Sequence, residues 1–243
     1  MKPLPALLIL VGLTGVGKST IASLLLRSRP QLQPLPNRRE LANRVVLPDA
    51  QRLSGETVRP VNDRLERFRL TAVYRRAHPG GMAHALERYL AKQPPGIEEL
   101  LFDNLRGVEE VGYAVQAFPR ARLLLLTADP VSRVLRLVKR NDPFDAAATT
   151  STDGSSRLSL TQLEGAAAVF GPSGLADLTA SSAGISEEAV LRAARIVIEE
   201  QRNYDNTAAA ALLTAARDPR DYLVIDTSRL EPSGIIARLT AWL

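Results

Sequence analysis

The chain has 243 residues, 45% hydrophobic and 23% charged, with no cysteine, two histidines and a net charge of +5. These figures suit one large globular domain; they exclude disulfides, thiolate metal sites and a His-rich metal cluster, and leave oxygen-bound Mg²⁺ as the metal to expect. The charge is uneven: residues 27–76 carry twelve Arg against five acids, a surplus of seven that exceeds the charge of the whole chain. Such a stretch is either a set of solvated helix faces in an Arg-rich composition or a surface that collects a phosphorylated or nucleic-acid substrate. No apolar run reaches the roughly 18–20 residues of a membrane span. The short run after Lys2 reads as a buried strand rather than a leader, so a cytoplasmic protein without membrane contact is expected.

Leu7–Val11 is continuously apolar, as in a strand buried on both faces of a parallel sheet, and it runs directly into a glycine loop. A helix is expected over Lys18–Arg29, stopped by Pro30. Arg44–Leu47 reads as a short second strand ending at Pro48, and residues 61–92 as helical with a break at His78–Gly81. Leu100–Asp103 is a third strand, 108–118 a helix, Arg122–Ala128 a strand, and Pro130 opens a helix to about Arg140. Residues 142–184 are rich in Ala, Ser, Thr and Gly, with only a short helical signal around 159–170. Ser186 begins a strong helix reaching about Gln201, Tyr222–Ile225 is a last strand, and Pro232–Leu243 a last helix. The alternation predicts a three-layer α/β fold with a parallel sheet flanked by helices, one domain over 1–243, and a lid insertion at 141–185.

The sequence from Gly12 to Ser19, GLTGVGKS, fits G-x-x-x-x-G-K-[ST], and it sits where the pattern demands, after an apolar strand and opening an apolar helix. Glycines let successive backbone N–H groups converge on phosphate oxygens, and the helix N-terminus points at the same charge. The candidate ATP site is Gly12, Thr14, Gly15, Val16, Gly17, Lys18, Ser19 and Thr20, with Lys18 reaching the β and γ phosphates and Ser19 on Mg²⁺. Asp103, at the end of the third strand, is the second metal candidate, or else a helix N-cap. Asn104 stands where motor ATPases often carry the Glu that polarises water, which leans the chemistry toward transfer to another acceptor.

Arg133, Arg136 and Arg140 share a helix face, either solvated or turned to an anion as transferring phosphoryl groups require. Asp49 and Arg52 in VVLPDAQRLSGE could act as proton acceptor and anion grip, or as a helix cap and a surface Arg. His78 and His84 read as packing or surface residues.

With the loop, FDNLRG, the arginine helix and the final YLVIDTSRLEPSGIIARL in view, the chain resembles the small P-loop kinases. The resemblance covers 5–140 and 186–243 in the order of the nucleoside monophosphate kinases. VVLPDAQRLSGE with LLFDNLRG is more similar to the polynucleotide kinase and zeta-toxin branch. That resemblance implies Asp49 as base, Arg52 and Arg106 on substrate, and Arg136 and Arg140 over the γ phosphate. The DGFPR of adenylate kinases is absent, so adenylate is not the expected acceptor.

The reading is therefore an ATP- and Mg²⁺-dependent phosphotransferase acting on a hydroxyl or phosphate acceptor, either a small molecule or a 5′-hydroxyl polynucleotide. The competing class is a nucleotide-gated ATPase or nucleic-acid-binding regulator without transfer.

Overall fold

The computed structural model describes residues 6–93, 99–140 and 159–243. Its centre is a five-stranded, all-parallel sheet: β1 (Ala6–Val11), β2 (Leu32–Pro34), β3 (Glu99–Leu105), β4 (Arg122–Thr127) and β5 (Tyr222–Asp226), in the order β2-β3-β1-β4-β5. Alternate residues of each strand point to opposite faces, and the core divides accordingly. Leu7, Ile9, Phe102, Leu123 and Leu125 face one apolar layer; Leu8, Leu10, Leu101, Leu124 and Leu126 face the other.

The second layer is covered by α1 (Lys18–Ser28) and α11 (Pro232–Trp242). The first holds α2 (Arg38–Leu41), a π turn (Ala42–Val46), α3 (Leu47–Leu53), α4 (Arg64–Ala77), α5 (Gly81–Leu90), α6 (Gly107–Ala117) and α10 (Asn206–Ala216). A third apolar cluster joins α7 (Pro130–Arg140), α8 (Ala166–Ser181) and α9 (Glu187–Asn203) through Val134, Leu137, Phe170, Leu178, Ala194 and Val197. Among the described residues no helix is long and apolar enough to cross a membrane.

Residues 44–47 are not a strand. Asn37 accepts hydrogen bonds from the N–H groups of Arg39 and Glu40 while Glu40 accepts from Asn37 N, a capping box that starts a helical run through Leu53. Val45, Val46 and Leu47 are the buried face of that run. The second strand is Leu32–Pro34, whose proline is tolerated because β2 pairs only with β3, at the sheet edge.

Within the expected lid, residues 141–158 lie outside the described residues, but 159–181 are not weakly structured. They form a 3₁₀ turn (Leu160–Gln162) and the 16-residue α8, kinked where Gly171 leaves helical geometry before Pro172.

Candidate functional site

The C-terminal ends of β1, β3 and β4 meet at the glycine loop. Gly15 has φ 84°, and a Cβ there would lie 2.9 Å from the carbonyl oxygen of Arg133, so only glycine lets the loop rest on α7. Gly17 has φ 92° and open space where a Cβ would point, which leaves room on the ligand side of the turn. Lys18 opens α1 and turns back, its Nζ donating to the carbonyls of Gly12 (2.7 Å) and Leu13 (2.8 Å). Its pKa is lowered to about 7, chiefly by burial and then by Arg106, with Glu200 and Asp103 pulling the other way. A strand, a glycine loop and a helix closing on a buried lysine are set in a parallel sheet. The fold is a parallel α/β sheet flanked by helices.

A carboxylate from α9 fills the loop's other side. Glu200 accepts from Thr14 N (2.8 Å), Thr14 Oγ1 (2.5 Å), Arg106 Nη1 (2.6 Å) and Arg133 Nη2 (2.7 Å). Burial alone would raise its pKa, but Arg106, Thr14 and Arg133 outweigh that and hold it below the usual range. Arg133, 2% exposed, also donates through Nε to Thr14 O (2.8 Å). One turn on, Arg136 donates to Gly15 O (3.2 Å), Thr227 Oγ1 (2.8 Å) and Thr227 O (2.8 Å), and the Thr227 hydroxyl donates to Val16 O (3.0 Å). The loop is thus braced from α7, α9 and the end of β5.

Asp103 is half-buried, has no hydrogen-bond partner among the described residues, and is raised in pKa by burial against the opposing pull of Lys18. Ser19 and Thr20 are exposed at the start of α1. Hard, unpartnered oxygens beside a lysine and an open glycine turn fit a nucleotide polyphosphate with Mg²⁺. Among the described residues no three acids or histidines gather into a metal site of their own, so the ion would be held through phosphate and water as much as through protein.

The acceptor-side candidates lie elsewhere. Asp49 is in the first turn of α3, 8% exposed, with Arg52 Nη1 2.7 Å from Oδ1. Arg88 of α5 brings Nη1 to 2.5 Å from Oδ2, too poorly aligned for a hydrogen bond, so that oxygen lacks an aligned donor. Tyr74 donates to or accepts from His84 Nδ1 at 2.9 Å, and the rings of His78 and His84 stack 4.1 Å apart. Burial and nearby Asp49 raise the Tyr74 pKa; burial and His78 lower that of His84. No hydrogen bond or ion pair between described residues joins Asp49 to the loop.

Between the two lies Tyr204, at the end of α9, with the guanidinium carbons of Arg75, Arg106 and Arg38 at 5.4, 5.8 and 6.0 Å from its ring centre. Arg38 is bidentate to Glu110 (2.6 and 2.8 Å), and Glu110 also accepts from Arg106 N (2.8 Å). Arg75 is exposed and has no acidic partner among the described residues.

The structure brings together Gly12, Thr14, Gly15, Val16, Gly17, Lys18, Asp103, Arg106 and Arg136. Asp49 and Arg52 share no hydrogen bond or ion pair with that group among the described residues, and Arg140 is exposed at the end of α7. Sequence reasoning missed Glu200, Thr227, Tyr204 and Arg88. Glu200 had a signal: it continues the buried stripe Val190, Ala193, Val197 of α9, where an unpaired acid would be costly.

No protein-family model and no curated protein matches the chain. Solved structures similar in shape include TT1252 from Thermus thermophilus, at 18% identity over 99% of both chains with a TM-score of 0.49. A sulfotransferase from Alicyclobacillus acidocaldarius is 15% identical over 98% of this chain and 80% of that one, TM-score 0.45. A kinase candidate from Chloroflexus aurantiacus is 13% identical over 99% and 97%, TM-score 0.42. None of these likenesses is close enough to assign a reaction.

Proposed function

We propose that the chain is an ATP-dependent phosphotransferase that uses Mg²⁺ and passes a γ-phosphoryl group to a hydroxyl or phosphate acceptor. The observation that supports this reading most is the set around Lys18: a buried ammonium tied only to loop carbonyls, an unbonded Asp103 coupled to it, and no acid following Asp103 to activate water. Lys18, Ser19, Asp103 and the loop N–H groups would hold Mg·ATP, which when bound supplies the electrophilic γ-phosphorus and an ADP leaving group. Lys18 would exchange its carbonyl partners for phosphate oxygens. Arg106 and Arg133 place positive charge beside the same loop, and Arg136 fixes its shape through Thr227. For a hydroxyl acceptor, Asp49 Oδ2, buried and lacking an aligned donor, would take the proton.

The test of the loop assignment is equilibrium binding of a non-hydrolysable Mg·ATP analogue to the native chain and to Lys18→Ala. Binding to the native chain with most of the affinity lost in the variant supports the reading. Equal binding to both removes the loop from the function.

A second reading, a nucleotide-gated regulator, has one observation in its favour. Glu200 covers Thr14 N–H and neutralises Arg106 and Arg133, so a ligand that drew those groups away would release α9.

A further inference from the structure

Four large apolar side chains stand open to solvent within residues 53–68: Leu53, Val58, Leu65 (78% exposed) and Phe68 (61%). Leu53 ends α3, Val58 lies in the segment after it, and Leu65 and Phe68 are on α4. Two ion pairs gather them into one patch. Glu56 with Arg69 (2.8 Å) and Arg59 with Glu66 (2.6 Å) hold the segment against the helix, Val58 lying between Glu56 and Arg59 in the chain and Phe68 between Glu66 and Arg69.

The pattern on α4 is that of a helix seam. Leu70 and Tyr74 are buried in the first apolar layer. On the opposite side of the helix Leu65, Phe68 and Ala72 form an exposed stripe at spacings of three and four, and Arg69 and Arg76, seven residues apart, run along its flank. The solvent face of an amphipathic helix is ordinarily polar throughout; here apolar residues take the a-d-a spacing of a coiled-coil contact and arginines the flanking e position. Residues 52–76 contain seven Arg, no Lys and three acids, a surplus of four. Arg76 is exposed, with no hydrogen bond or acidic partner among the described residues.

We infer that this face docks an acidic amphipathic helix of a protein partner, whose apolar residues pack on Leu65, Phe68 and Ala72 while its carboxylates meet Arg69 and Arg76. Apolar anchors at helical spacing select a helix, and the flanking charge selects its sign. A second copy of this chain fits poorly, because two-fold pairing would set two like-charged patches against each other. An anionic membrane or a nucleic acid would meet Glu56, Asp63 and Glu66 within the same patch, whereas arginine without lysine beside an exposed aromatic ring is the composition of a protein interface. No residue of this face bonds to the glycine loop among the described residues, so the inference stands apart from the phosphotransfer reading.

The experiment is titration of the full chain with a labelled synthetic peptide of three heptads, leucine at a and d and glutamate at e and g, and with its counterpart carrying lysine at e and g. Leu65→Glu and Phe68→Glu are the variants, both at exposed positions, so they should unfold with the native midpoint; Ile236→Glu, at an exposed apolar position on α11 over the other layer, is the control. The expected result is salt-sensitive binding of the acidic peptide, about ten-fold tighter than the lysine peptide, weakened about ten-fold by each variant and unchanged by the control. Arg76→Glu should narrow or reverse the preference between the two peptides, which a merely sticky surface would not do. Absence of acidic-peptide binding, equal binding of both peptides, or binding that both variants leave unchanged overturns the inference. Self-association lost in Leu65→Glu assigns the face to a second copy and overturns it. So does binding of phosphatidylglycerol vesicles or an oligothymidylate that depends on Leu65 while the acidic peptide does not bind.

Discussion

Two buried carboxylates, each held by two arginines, organise the two halves of this molecule differently. At the loop, Glu200 has donors on both oxygens, and Arg133, one of its partners, is itself buried. In α3, the Asp49 partners Arg52 and Arg88 are 62% and 40% exposed, and Oδ2 lacks an aligned donor. A carboxylate with aligned donors on both oxygens, one of them from a buried arginine, is a brace. One whose second oxygen meets only an unaligned, exposed arginine can exchange that partner for a proton. Charge and burial alone do not separate the roles; the state of the last oxygen does.

The largest effect expected from this contrast is on turnover. Asp49→Asn keeps shape and removes the proton acceptor, so kcat on a hydroxyl acceptor should fall by about 10² to 10⁴, with affinity for ATP within a few-fold. Steady-state kinetics check this, and unchanged kcat would make Asp49 a second brace. A phosphate acceptor, already ionised near neutrality, would show the loss mainly as weaker acceptor binding.

Next comes stability. Removing Glu200 leaves Arg133 buried and unpaired, a loss of roughly 3–5 kcal/mol for such pairs. Chemical unfolding of Glu200→Ala should show it, whereas Asp49→Asn should cost about 1 kcal/mol or less because its arginines can turn to solvent. Because the folded pKa of Glu200 lies below the ordinary 4.5, its contribution is fully present above that value and is lost as pH falls through the folded one. The stability gap between the native chain and Glu200→Gln should therefore close on acidification below about pH 4. A gap independent of pH would show that the carboxylate's charge is not what braces the loop.

How much of this was legible in the sequence follows from the range of each signal. β1, the glycine loop and α1 are local: one apolar run, fixed glycine spacing and one helical stripe, and they stand where expected. A strand beside β1 carrying Asp103 was legible for the same reason, although it runs two residues past the acid to Leu105. The stretch at 44–47 was misread because a short apolar run does not distinguish a strand from a buried helix face. Asn37 and Glu40 carried the deciding signal, three residues apart. In α8, Gly171–Pro172 interrupts the periodicity, and in α10 a run of alanines leaves no strong stripe, although Asp205 caps it by accepting from Ala208 N. Glu200 on Thr14 spans 186 residues of sequence and Arg136 on Thr227 spans 91, so no window along the chain contains either pair.

The smallest effect expected is a fraction of a proton. With its pKa lowered to about 7, Lys18 is largely neutral above pH 8, and phosphate binding should draw a proton onto it. Calorimetry of the ATP analogue in buffers of different ionisation enthalpy should report uptake that grows between about pH 7 and 9. No uptake across that range would mean Lys18 stays charged without ligand, and that the loop is less dry than its burial implies.

Phosphotransfer itself is tested most directly with γ-labelled ATP and Mg²⁺, offered with nucleosides, nucleotides, sugars, phosphorylated acids and 5′-hydroxyl oligonucleotides to the native chain and to Lys18→Ala. The prediction is label in one acceptor class, dependent on Lys18, and little release of labelled phosphate to water. Label released to water at equal rates with and without every acceptor, or no loss of label from ATP at all, would contradict it.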